Sequence, residues 1–138
     1  MGSLVASAAD GADVPVVDVP GEEWERRGVI RFLTSWLASH GFLSAGEVDS
    51  IVERVMHRED LGSTGVGDGV AVPHTSSHSV ESPVLVAGRL TDPMEWEAVD
   101  GEPVRWVLLV IDPEPSLPAT MQGIARAETW LRGRGWKS

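Results

Sequence analysis

The 138-residue sequence predicts an α/β layered domain built on a mixed sheet. Three observations predict it. Two stretches in the first half repeat apolar residues at helical spacing. PVLVAGRL (83–90) and VRWVLLVI (104–111) are apolar runs of strand length. A further helical stretch comes after them. The second run has almost no polar alternation, as expected of a central strand covered on both faces.

Taken in order, residues 1–13 (MGSLVASAADGAD) are small and weakly patterned, and predict a disordered tail ahead of a domain spanning 14–138. VPVVDV (14–19) predicts a short strand, with Pro15 directing it to a sheet edge. Val29, Ile30, Leu33, Trp36 and Leu37 predict a helix over 22–39. Its first turn holds Glu22, Glu23 and Glu25, and Gly41 stands just past its end. Ser44-Ala-Gly-Glu47 matches a capping box that opens a second helix, with Leu43 and Val48 placed as a hydrophobic staple. Val48, Ile51, Val52, Val55 and Met56 form that helix's apolar stripe, and its end is expected near His57. Val70–Val72 predicts a short strand, and Asp92-Pro93 and Asp100-Gly101 predict turns. Pro113, Pro115 and Pro118 stiffen a loop before a third helix over 119–132, with Met121, Ile124, Ala125 and Leu131 facing inward.

Composition narrows the function. A net charge of −10 with scattered basic residues argues against nucleic acid, which needs a lysine and arginine footprint. There is no cysteine, and so no disulfide, thiolate chemistry or cysteine-type zinc site. No apolar run reaches the roughly 18 residues of a membrane span, and no leader segment is visible. The chain therefore reads as a soluble, cytoplasmic protein without membrane insertion. A chain of this size buries roughly 68% of its unfolded surface, enough for a core.

The stretch GSTGVGDGVAVPH (62–74) carries four glycines and ends on His74. Glycines let backbone amides turn toward one point and form an anion-binding nest. Ser63 and Thr64 add hydroxyl donors, and Arg58 adds a planar cation suited to phosphate. A neutral imidazole beside such a nest is a nucleophile near pH 7 and can carry a phosphoryl group. The alternative is an ordinary turn histidine with a hydrogen-bonded ring. Other motif readings fit poorly. His74 and His78 have metal-pair spacing only if helical, and the Pro73 context is a loop. No lysine follows the glycines, so they form no P-loop, and they do not open a helix as a dinucleotide fingerprint would. No nucleophile-and-carboxylate set accompanies His74 as a hydrolytic base. No cofactor and no metal is implied.

The run from Arg58-Glu59-Asp60-Leu61-Gly62 through Val70-Ala71-Val72-Pro73-His74 closely resembles the signature of the fructose/mannitol-type enzyme IIA domain of the bacterial sugar phosphotransferase system, shared by the nitrogen-related regulatory enzyme IIA proteins. The resemblance covers about 14–132 and extends to Trp96-Glu-Ala-Val-Asp100-Gly-Glu-Pro-Val104, which is similar to the family's hairpin before its central strand. It implies a three-layer α/β/α sandwich. It also implies that His74 accepts a phosphoryl group from an HPr-like phosphocarrier and hands it to a IIB domain, or uses it as a regulatory mark. Arg58 would hold the phosphoryl charge, and Ser63 and Thr64 would line the loop. Two departures stand out. Thr120 occupies the place of the family's second histidine, with His78 as an alternative imidazole. The chain also stops soon after Leu131, where the family continues through another helix. A missing helix would expose apolar surface around Trp130 and Trp136 and lower stability. Both departures leave open a transfer-impaired regulatory or binding module on the same fold.

Overall fold

The computed structural model describes residues 14–21, 25–62, 64–67, 69–78, 80–98 and 100–113, with Ala125 and Thr129. The expected tail at 1–13 lies outside them, as do Ser63, Thr120, the two tryptophans of the C-terminal stretch and most of the expected third helix. Ala125 and Thr129 are helical, but Ala125 is exposed, which corrects its inward assignment.

The elements are β1 (Val16–Val19), α1 (Arg26–Ser39), a 3-10 turn (Ala45–Glu47), α2 (Val48–Leu61), β2 (Gly65–Gly67), β3 (Val70–Ala71), β4 (His74–Ser76), β5 (Val84–Met94) and β6 (Val104–Asp112). Among the described residues they form one mixed six-stranded sheet in the order β1-β5-β6-β3-β2, with β4 also pairing β6. β6 is its spine, antiparallel to β5 and parallel to β3 and β4. β1 is a parallel edge strand beside β5, as Pro15 predicts.

Strand alternation sorts the core onto two faces. Val86, Leu109, Ile111 and Val107 meet Val29, Ile30, Leu33 and Leu37 of α1 and Ile51, Val52 and Val55 of α2. The opposite face gathers Val70, Val72, Leu85, Ala87, Leu108 and Val110 in a second buried cluster. Both faces of β6 are therefore buried, as its unbroken apolar run requires.

α1 ends as expected. The amide of Gly41 donates to the Ala38 carbonyl and that of Phe42 to Leu37, the paired bonds of a Schellman ending. Four boundaries differ from expectation. α1 begins at Arg26 rather than at 22, with Glu25 in extended conformation at its N-cap and no acidic residue in its first turn. The capping box does not form: Ser44 precedes a 3-10 turn closed by the Glu47 amide on the Ser44 carbonyl, with no side-chain cap bond. Glu47 instead accepts from the Ser77 hydroxyl at 3.3 Å, so its carboxylate is engaged elsewhere. α2 does not stop near His57 but continues to Leu61. Asp92-Pro93 is no turn. It lies within β5, at the register shift between Arg89 and Met94, where a bulge spares proline any ladder bond. The Asp100-Gly101 turn is present, with Gly101 at φ 73° and the Glu102 amide donating to the Asp100 carboxylate at 3.0 Å.

Candidate functional site

The glycine stretch folds as a β-hairpin, β2 with β3, rather than as an open loop. Its glycines answer to that shape. A Cβ on Gly65 would stand 2.8 Å from both Cα and Cβ of Ala98, so only hydrogen fits there. Gly69 turns the hairpin at φ 82°, and its carbonyl accepts from the Arg105 and Trp106 amides of β6. The expected nest of loop amides is thus not the use made of Gly65 and Gly67, which are strand residues.

Pro73 interrupts the edge beside β6, because it has no N–H for a ladder. β3 stops at Ala71 and β4 resumes at His74, while the Pro73 carbonyl still accepts from the Val110 amide at 3.0 Å. The His74 ring is half-buried, and its Nδ1 lies 3.0 Å from the Val72 carbonyl. A carbonyl only accepts, so Nδ1 holds the proton and donates. The lone pair then belongs to Nε2, the nitrogen with nucleophilic capacity.

α2 holds β4 from the side. The amide of Val72 donates to the Thr64 carbonyl at 2.9 Å, so the end of α2 lies toward the start of β4 and the two run in opposite directions. Arg54 donates from Nη1 to the Ser76 carbonyl at 2.8 Å. Arg58 follows one turn later, about 6 Å along a helix, and His74 precedes Ser76 by about 6.6 Å of strand. This register puts Arg58 toward the His74 end of β4. Its Nη1 donates to the Gly62 carbonyl at 2.6 Å, which closes the C-terminus of α2.

The sequence of this chain matches the family model described as phosphoenolpyruvate-dependent sugar phosphotransferase system, EIIA 2, over residues 16–126. The chain belongs to this EIIA family. Among relatives of the EIIA chain, the 2-O-alpha-mannosyl-D-glycerate-specific EIIABC component of Escherichia coli is 38% identical over 108 residues, which are 77% of this chain and 16% of the relative. A nitrogen regulatory protein of Pseudomonas aeruginosa is 33% identical over 99 residues, covering 72% of this chain and 62% of that protein. The crystal structure of the nitrogen regulatory protein IIA-Ntr from Neisseria meningitidis superposes with a TM-score of 0.66 at 27% identity, covering 80% of this chain and 73% of that one. This EIIA chain thus spans less than two-thirds of the length of either of these two sequence relatives.

Within the EIIA fold, Thr64 is placed differently from its expected role. It is buried, and its hydroxyl donates to Glu59 rather than facing an incoming anion. His78 is exposed beyond β4, on a turn rather than a helix, which removes the geometry of an i, i+4 metal pair. A cleft of about 260 Å³ lined by Pro20, Leu90, Thr91, Asp92 and Met94 lies at the far end of β5, since His74 is in register with Val110, which pairs with Leu85. Among the described residues, no helix is long and apolar enough to cross a membrane.

Sequence reasoning missed Glu59 as a site-building residue. Its side chain is 0% exposed. The signal was present: Glu59 falls on the stripe of Val52 and Val55 at i+7 and i+4, where a carboxylate demands partners.

Proposed function

We propose that this chain is a phosphoryl carrier with His74 Nε2 as the acceptor. Nε2 attacks the phosphorus of a phosphohistidine on an HPr-like carrier protein. The donor N–P bond breaks, its electron pair stays on the donor nitrogen, and an Nε2–P bond forms. The His74 ring becomes cationic while Nδ1 keeps its proton, and the Val72 carbonyl facing that proton stabilises the charge. Arg58 leaves the Gly62 carbonyl to pair with the phosphoryl oxygens. Such a transfer asks for positioning and charge stabilisation rather than a deep pocket. The group then passes to a IIB domain, a partner supported by the EIIABC relatives.

The observation that carries this reading is the Nδ1 bond of a half-buried ring, which leaves the Nε2 lone pair available as a nucleophile. The nitrogen regulatory relatives favour a second use of the same mark, as a regulatory signal in place of sugar uptake. Incubation with phosphoenolpyruvate, enzyme I and HPr is expected to label the wild type and not His74→Ala. Equal labelling of the variant overturns the site. Thr120→His tests the departure at the second-histidine position: a rise in labelling supports a transfer-impaired natural state, and no change supports a competent one.

A further inference from the structure

We infer that Glu59 is a positioning residue for His74, acting through a continuous hydrogen-bonded chain from the start of α1 to the acceptor ring. The inference rests on the reading of His74 as acceptor. The chain can be followed atom by atom. Arg26 Nη1, on the first residue of α1, lies 3.4 Å from Glu59 Oε1. The Thr64 amide donates to the same oxygen at 3.3 Å, and the Thr64 hydroxyl donates to Oε2. The Thr64 carbonyl accepts from the Val72 amide at 2.9 Å. The Val72 carbonyl accepts from His74 Nδ1 at 3.0 Å.

Each link limits the next. Glu59 grips the amide and hydroxyl of Thr64 from a position with no solvent access, which narrows the orientation of the peptide after Thr64. That orientation fixes the Val72 amide. The Val72 amide and carbonyl sit in successive peptide planes joined at Val72, so fixing the first narrows the path of the second, and with it the carbonyl that selects the proton on Nδ1. Dipoles aligned in this way also polarise one another in a low-dielectric interior. Glu59 touches no substrate. Its effect is to keep the proton on Nδ1 and the lone pair on Nε2. Arg26 supplies a cation to a carboxylate that would otherwise be buried uncompensated.

A carboxylate that merely stabilised the fold would leave the tautomer of His74 alone. The test therefore compares Glu59→Gln and Thr64→Val with Glu53→Gln, an exposed glutamate on the same helix, by two readouts. The first is the 15N shift pair of the His74 ring in the full chain, which reports the proton's location without any transfer. The second is the rate of phosphoryl uptake from phosphorylated HPr, separated into kcat and KM. Glu59→Gln and Thr64→Val are expected to move the ring toward a tautomer mixture and to lower kcat about tenfold with KM nearly constant, while Glu53→Gln matches wild type. Thr64→Val keeps the experiment decisive should Glu59→Gln fail to fold. Wild-type ring shifts and uptake in a folded Thr64→Val or Glu59→Gln variant overturn the inference. Absence of uptake by the wild type itself overturns the carrier reading, and the ring shifts then still decide whether Glu59 sets the tautomer.

Discussion

His74 and Glu59 differ in how openly the sequence announces them. His74 ends a glycine-rich run after a proline, a pattern that singles it out without coordinates. Its ring tautomer is not legible, because the Val72 carbonyl reaches Nδ1 only once Pro73 has interrupted the sheet edge. Glu59 is half legible: its place on the apolar stripe of α2 says buried, but Thr64 and Arg26 as its partners depend on how α1, α2 and the hairpin meet. Gly65 shows the same limit. Its role as a point of close approach follows from Ala98, a residue far along the chain. Gly65→Ala is expected to destabilise by about 1–3 kcal/mol, since the added carbon meets backbone that cannot swing aside. Denaturant unfolding measures this, and a midpoint equal to wild type would refute the packing argument.

At the scale of elements, periodicity placed α1, α2, β5 and β6 correctly, and the differences fall at their ends. A capping box needs a free Glu47, but that carboxylate is engaged with Ser77 at the end of β4. Asp92-Pro93 has the composition of a turn, yet the bulge opposite Trp106 and Val104 accommodates it within a strand. α1 is held by its apolar face, with Leu33 fully buried over Gly88 of β5. Leu33→Ala is therefore expected to cost about 2–5 kcal/mol through lost burial and a residual cavity. Unfolding followed by circular dichroism measures the loss, and a cost below about 1 kcal/mol would mean that α1 does not rest on this sheet face.

For the molecule as a whole, the fold class was legible because an apolar strand run and amphipathic helices leave few layered solutions. Acidic composition also sets how the fold responds to pH. Arg89 bonds Asp18 across the β1–β5 pair, and Arg27 bonds Glu53 between the two helices. These bonds hold both carboxyls below their ordinary range. A lowered folded-state pKa adds stability that is present above the unfolded value near 4 and disappears as pH falls through the folded value. Asp18→Asn is thus expected to melt slightly below wild type at pH 7, with the gap closing as the pH is lowered through the folded value. A gap that persists in acid would contradict this origin. Both pairs are exposed, so added salt should narrow the gap at pH 7 as well. The molecule's central property, though, is the phosphoryl mark proposed for His74. The most direct measurement is NMR of the 15N-labelled chain after phosphorylation by phosphoenolpyruvate, enzyme I and HPr. The account predicts one-bond phosphorus coupling at Nε2 of His74, with the proton retained on Nδ1. Coupling at Nδ1, or at any other residue, would contradict it.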